Sequence, residues 1–381
     1  MKIILVAGAR PNFMKVDPIM NEMEEYNSKQ TSKRNSKYIL VHTGQHYDYN
    51  MSDSFFKDLE IHPPDIHLGV GSGTHGQQTA KIMVAFENVC FEEKPDLVIV
   101  VGDVNSTLAC SITAAKLCIP IAHVEAGLRS FDRTMPEEIN RIVTDSLSDF
   151  LFTTCRGANE NLKKEGISDN KIYFVGNVMI DTLLKYKNLA ESKIKKFSNL
   201  KKKEYALLTL HRPSNVDNKK TLQEITEALV EISKKIPIIF PAHPRTQKMI
   251  ERFEFSNFFQ KHLSSHLPQM KGIYLLAPLP YLEFLHLMAK AKFILTDSGG
   301  IQEETTVLGI PCLTLRENTE RPVTIKEGTN ILVGTNKEKI INESLNILNG
   351  KGKIGRIPEL WDGKAANRII EILKKKYIDQ K

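Results

Sequence analysis

The sequence has no long hydrophobic run: its apolar stretches, such as Leu97–Val101, are about five residues, whereas a membrane-spanning helix needs about twenty. An integral helical membrane protein is excluded. Cysteine is scarce and scattered. Cys90, Cys110, Cys118, Cys155 and Cys312 form no Cys-x-x-Cys pair and no Cys/His cluster at zinc spacing. Neither a disulfide scaffold nor a bound metal is expected, and free thiols suit a reducing compartment. The opening residues MKIILVAGARP lack the long apolar stretch and small-residue cleavage site of a signal peptide and read as a first β-strand, so the expected location is cytoplasmic. The excess of basic over acidic residues is modest, 52 against 45. Much of it sits in Lys193–Lys203, with six lysines and Phe197 as the one aromatic. This reads as a solvated surface rather than a nucleic-acid patch, while the mild positive charge suits a small anionic substrate.

The 381 residues suffice for two α/β domains. Short, continuously apolar segments rich in Val and Ile predict parallel strands covered on both faces. In the first half these are Ile3–Ala7, Tyr38–Thr43, Leu97–Gly102, Ile121–Glu125, Phe150–Thr154 and Ile172–Val175. The pattern restarts after the lysine run with Ala206–Leu210, Ile236–Phe240, Ile273–Leu276, Phe293–Thr296, Cys312–Leu315 and Ile331–Val333. Helical stretches alternate with the strands, among them Thr221–Ile232, Leu282–Ala289 and a terminal helix over Lys364–Tyr377. Pro136–Leu147 begins with Pro, Glu and Glu, suited to a helix N-terminus, and carries Ile139, Ile142, Val143 and Leu147 on one face, the face expected to pack inward. The fold expectation is α/β, with two Rossmann-like doubly wound domains facing a cleft: residues 1–176 with 362–381, and residues 177–361.

Ligands of open α/β sheets bind at the carboxyl ends of the strands, so the residues there carry the functional argument. The first strand runs into Gly8-Ala9-Arg10-Pro11-Asn12, with Lys15 one turn later. Two cations at a helix start suit an anion. This turn is not Gly-x-Gly-x-x-Gly, which counts against a nicotinamide or flavin, and no cofactor is expected. The glycine-rich Gly69–Gly76 has no following Lys-Ser/Thr pair and so is no Walker loop; it reads as a mobile loop over a ligand. Asp103, Glu125 and the acids of Pro136-Glu137-Glu138 stand at neighbouring strand or helix ends, where mutual repulsion can spread their pKa values for acid–base work. In the second half, His211-Arg212 and His243-Pro244-Arg245 follow consecutive strands. Ser298-Gly299-Gly300 then opens a helix whose free amides suit a phosphate. Glu304 lies one turn further in, suited to ribose hydroxyls, and Arg321 follows the next strand.

The motifs GARPNFMK, TGQHYD, VGDVNSTLA, HVEAGLRS, MPEEINR, HRPSNVD, AHPRT, TDSGGIQEE and ENTERP, in this order along nearly the whole chain, resemble those of the non-hydrolysing UDP-N-acetylglucosamine 2-epimerases. The resemblance implies a GT-B fold, a homodimer, and a C-terminal helix that crosses back onto the first domain. It implies inversion at C2 of a UDP-2-acetamido sugar, without nucleic acid or membrane as partner. Position by position, it implies that Asp103, Glu125, Glu137 and His211 form the catalytic group. Arg10 and Lys15 would lie near sugar and phosphates, Arg141 would support the sugar side, and Ser298, Gly299, Gly300, Glu304 and Arg321 would hold UDP. Gln45, His46, Arg212 and His243 match part of the site where certain bacterial members bind a second UDP-N-acetylglucosamine as activator, although Asp48 stands where a glutamine is expected. Gly-Ala-Arg-Pro is shared with epimerases of UDP-2,3-diacetamido-glucuronate, so a related sugar, or a GT-B glycosyl transfer, stands as the alternative.

Overall fold

The computed structural model describes residues 1–29, 37–45, 56, 59–194, 197, 200–261 and 270–378. The chain divides into two compact units, Met1–Leu183 with Glu359–Lys381, and Leu184–Pro358. Among the described residues, no helix is long and apolar enough to cross a membrane.

The first unit is built on seven parallel strands: β1 (Lys2–Ala7), β2 (Lys37–His42), β3 (Ile66–His67), β4 (Leu97–Val101), β5 (Ile121–Ala126), β6 (Phe150–Thr153) and β7 (Ile172–Phe174). Their order is β3-β2-β1-β4-β5-β6-β7. The second unit repeats the plan with β8 (Ala206–Thr209), β9 (Ile238–Pro241), β10 (Gln260–Lys261), β11 (Ile273–Leu276), β12 (Phe293–Thr296), β13 (Cys312–Thr314) and β14 (Asn330–Leu332), in the order β10-β11-β9-β8-β12-β13-β14. The all-apolar strands are central because every face of them is covered; each residue of Leu97–Val101 is buried. Both units are thus Rossmann-like and doubly wound, the two domains from which a GT-B fold is composed.

The sequence reading passed over β3 and β10, two-residue edge strands too short to show a period. It also began β9 two residues early. Ile236 instead closes the preceding helix, its amide bonding back to Ile232 O at 3.2 Å.

The helix Pro136–Leu147 corrects another expectation. The structure buries its polar face, Glu138, Asn140, Arg141, Thr144 and Asp145, and leaves Ile139, Ile142, Val143 and Leu147 only half-buried. Hydrophobic periodicity located the helix but not its inward face, because the buried charges pair with one another.

The C-terminal helix Ala365–Leu373, followed by a wider turn over Lys374–Ile378, belongs to the first unit and packs on the helix Arg10–Lys29. Asp181 caps it from outside, accepting the Ala365 and Ala366 amides at 3.1 and 2.7 Å. A carboxylate at a helix N-terminus satisfies orphan donors and favours the helix dipole. Trp361 is fully buried beside it, and its indole donates to Thr154 O at 2.8 Å.

Near the centre of each sheet the strand order reverses: between β1 and β4, and between β8 and β12. Helices depart to opposite faces there, which opens a crevice at the strand ends.

Candidate active site

In the first unit the reversal point presents Gly8–Lys15 after β1, Gly102–Asp103 after β4 and, one strand further, the end of β5. Asn12 ties these exits together. Its side-chain oxygen accepts the Gly8 and Ala9 amides at 3.2 and 2.9 Å, and its nitrogen donates to Val101 O at 3.1 Å. Arg10 stands half-buried at the first turn of its helix. Lys15 is buried and forms an ion pair with Glu125.

Glu125 itself is unusual. The β5–β6 register slips between Val124 and Ala126, and Glu125 takes a φ of +77°. A non-glycine residue held there costs about 1–3 kcal/mol and persists only where its surroundings impose it. Gly102 lies against this pair: at its φ of +70°, a Cβ would stand 2.8 Å from Lys15 Nζ and 3.5 Å from Glu125 Oε2.

Asp103 is about a quarter exposed and pairs with the buried Arg141. Arg141 also holds Glu138 at 2.7 Å, and Glu138 accepts the amides of Ser130 and Phe131, both at 2.9 Å. Burial alone would raise the Glu138 pKa, but these amides and Arg141 hold it below the ordinary carboxylate value. Glu137, by contrast, is half-buried, and its side chain makes no hydrogen bond or ion pair among the described residues. Of the two adjacent acids, one anchors the loop and the other is left for solvent or a ligand. The motif's residue types alone do not separate them, whereas the resemblance named Glu137; helical phase places Glu138 and Arg141 on one side, three residues apart.

Gly71–Gly76 spells Gly-x-Gly-x-x-Gly, yet it follows the edge strand β3 and not the reversal point. Thr74 and Gln77 cap the next helix with their own side chains, and Gln78 donates to Gly71 O at 3.0 Å. The segment is not in the dinucleotide-binding position. Gln45 accepts the Ser106 hydroxyl at 2.7 Å. His46 lies outside the described residues.

In the second unit, His211 follows β8 and Asp297 follows β12. His211 Nδ1 lies 2.8 Å from Asp297 Oδ1. Asp297 Oδ2 accepts the His211 and Arg212 amides at 2.9 and 2.8 Å. Burial alone would lift Asp297; the His211 ring and these amides hold it below the ordinary value. The carboxylate therefore fixes the ring through Nδ1 and leaves Nε2 for other partners. Asp297 was visible in Thr-Asp-Ser-Gly-Gly, but its pairing with a residue 86 positions away was not. His243 stands nearby, its ring centroid 6.4 Å from that of His211.

Ser298 precedes the helix Gly299–Leu308 and makes no side-chain cap, so the first-turn amides are open to an anion. At Gly299 a Cβ would come 2.8 Å from Glu320 Oε1 and 3.1 Å from Arg321 Nη1, so a side chain there would push on that ion pair. Gly300 faces open space.

Around this turn, Arg321 binds Glu303 at 3.0 Å and Glu320 at 2.8 Å. Arg316 binds Glu320 at 2.9 Å, and Arg212 lies 3.7 Å from it. Three guanidiniums face Glu303 and Glu320 here, with the Asp297 carboxylate at the same turn, so cationic side chains and a helix N-terminus meet, as suits a diphosphate. Arg316, unassigned from sequence, belongs to this network. Glu304 is buried and accepts the Tyr281 hydroxyl at 2.7 Å. Burial, and less so its neighbour Glu303, pushes its pKa up to about 7.

A family model described as UDP-N-acetylglucosamine 2-epimerase matches residues 29–374. A UDP-N-acetylglucosamine 2-epimerase from Methanocaldococcus jannaschii is 46% identical over 379 residues, covering 98% of this chain and 99% of the relative. A UDP-2,3-diacetamido-2,3-dideoxy-D-glucuronate 2-epimerase from Pseudomonas aeruginosa is 42% identical over 379 residues, with 98% and 100% covered. The crystal structure of the M. jannaschii UDP-GlcNAc 2-epimerase in complex with UDP-GlcNAc and UDP superposes with a TM-score of 0.87 at 44% identity, over 98% of this chain and 100% of that one.

Proposed function

This chain belongs to the UDP-N-acetylglucosamine 2-epimerase family, and from that premise we propose that it interconverts UDP-N-acetylglucosamine and UDP-N-acetylmannosamine. The C2 proton has no adjacent carbonyl and is not acidic. UDP at C1 is an available leaving group, so inversion proceeds by anti elimination to UDP and 2-acetamidoglucal. UDP then re-adds while a proton is delivered to the other face of C2.

The observation that carries this reading is the pair of carboxylates at neighbouring strand exits, Asp103 and the strained, buried Glu125. One acid of the set Asp103, Glu125 and Glu137 takes the C2 proton and another returns it. Lys15 holds Glu125, and Arg141 holds Asp103. The open amides at Gly299-Gly300 and the uncommitted Ser298 side chain, with Arg321 and Arg10, stabilise the departing diphosphate. Glu304 takes the ribose hydroxyls, and His211, oriented by Asp297, donates toward the diphosphate. Gln45, His46, Arg212 and His243 match part of the activator site of certain bacterial members, from which Asp48 departs.

The test is NMR of the protein with UDP-N-acetylglucosamine in deuterated water. UDP-N-acetylmannosamine carrying deuterium at C2 is the expected result; conversion without C2 exchange refutes the elimination. The 42% identity to the P. aeruginosa enzyme supports a second reading, a diacetamido-uronate substrate. That reading is chosen if only such a sugar turns over.

The working unit is a homodimer in the cytoplasm, supplying an acetamido sugar for polysaccharide synthesis. Apolar side chains at the surface of two helices support the dimer: Val84 and Phe91 are exposed on His75–Glu93, and Ile139, Ile142 and Val143 are half-buried on Pro136–Leu147. The five free cysteines support the reducing compartment.

A further inference from the structure

Behind the acids of the first unit lies a charged cluster that the reaction itself does not use. His123 on β5 is fully buried. One ring nitrogen, Nε2, is 2.8 Å from Gly102 O, and the other, Nδ1, is 2.6 Å from Asp145 Oδ1. A carbonyl only accepts, so Nε2 donates to Gly102 O, and Nδ1 faces the Asp145 carboxylate. The second Asp145 oxygen accepts the Gly127 amide at 3.0 Å and pairs with Arg129 at 2.7 Å. Arg129 in turn binds Glu165 through two nitrogens, at 2.8 and 2.6 Å.

The residues this cluster grips are informative. Gly102 immediately precedes Asp103. Gly127 comes two residues after Glu125, and His123 two residues before it. Gly102 and Gly127 both have positive φ, +70° and +76°, as does Glu125. A Cβ at Gly127 would run into the Ala158 backbone, so the chain has no slack there. The bulge that turns Glu125 toward Lys15 is thus pinned on both sides by one carboxylate, and the same carboxylate reaches the Asp103 exit through the imidazole.

We propose that Asp145, acting with His123, is a positioning residue that sets the Glu125 and Asp103 carboxylates relative to each other. This rests on the elimination–addition reading, in which two acids serve opposite faces of one carbon. If their spacing loosens, elimination and re-addition cease to be matched. The 2-acetamidoglucal then outlives its partner acid and escapes together with UDP.

The experiment uses the full chain and its Asp145→Asn and His123→Asn variants with UDP-N-acetylglucosamine. NMR follows the epimer formed and the free UDP released. Calorimetry follows binding of UDP, and circular dichroism follows folding. Asn at position 145 keeps the shape but loses the charge and one acceptor. Asn at 123 can still meet Asp145 but cannot reach Gly102 O. The expected result is a kcat lowered by about tenfold to a hundredfold, little change in KM or in UDP affinity, and a ratio of released UDP to epimer well above that of the wild type.

A folded variant whose ratio equals the wild-type ratio overturns the proposal, even if its rate is lower. If both variants fail to fold, the pair serves folding and the proposal is likewise overturned. A wild-type chain that forms no epimer refutes the proposed function instead, so the two failures are distinct.

Discussion

Replacing Glu304 by Gln separates the stability of the second domain from its ligand affinity, with opposite signs. Burial lifts the Glu304 pKa from the ordinary 4.5 to about 7, so the folded state holds a proton that the unfolded chain releases. In that situation stability falls as pH rises from about 4.5 through about 7, and above that the whole cost of the buried carboxylate is present. A shift of this size corresponds to about 3 kcal/mol. Glutamine is neutral at every pH and still accepts the Tyr281 hydroxyl that now donates to Oε1. Thermal unfolding without ligand should therefore show the variant more stable than the wild type by up to about 3 kcal/mol at pH 8, worth roughly 6–12 °C for a domain of this size, with the gap closing near pH 4.5. Calorimetry at pH 8 should show the reverse for UDP: the lost charge-assisted hydrogen bonds to ribose weaken binding by about tenfold or more. Parallel stability–pH curves for the two proteins, or a variant less stable at pH 8, would refute the reasoning, since either means that the carboxylate is not ionised at a cost in the free protein.

Other substitutions test other parts of the site. Asp103→Asn and Glu125→Gln should each lower turnover by about a hundredfold or more while leaving UDP affinity, measured by calorimetry, near the wild-type value; near-normal turnover removes that residue from the acid–base set. Asp297→Asn should lower turnover and also destabilise the second domain by about 1–3 kcal/mol in urea unfolding, because the one remaining oxygen cannot serve both the His211 and Arg212 amides and the His211 ring. Trp361→Ala should cost about 3–5 kcal/mol in the stability of the first domain, with unchanged UDP affinity. Ile142→Asp should give a monomer in sedimentation if the half-buried face of Pro136–Leu147 joins two copies; an unchanged mass assigns that face another role.

What the sequence disclosed and what it hid divide along a physical line. Strand interiors were legible because a doubly covered strand must be apolar at every position, as in Leu97–Val101. Strand exits were legible because polar residues there break such runs abruptly: Asp103, Glu125, His211 and Ser298 all stand out against the strand before them. Interior charge was not legible. Asp145 lies on a helix whose neighbours Ile142, Val143 and Leu147 are apolar, and an amphipathic reading assigns it to solvent. It is buried only because His123, Arg129 and the Gly127 amide are waiting for it, and that compensation spans 22 residues and two elements. The same holds for Glu138 with Arg141 and for Asp297 with His211. Periodicity measures transfer of single side chains from water, whereas a buried ion pair is stable through its partner. A sequence read one residue at a time therefore misplaces the groups that hold an active site in shape, while it finds those that present themselves at its mouth. The helix with its polar face turned inward is the consequence: Arg141 on that face holds Asp103, and Asp145 holds His123 and the Gly127 amide on either side of Glu125 in the chain.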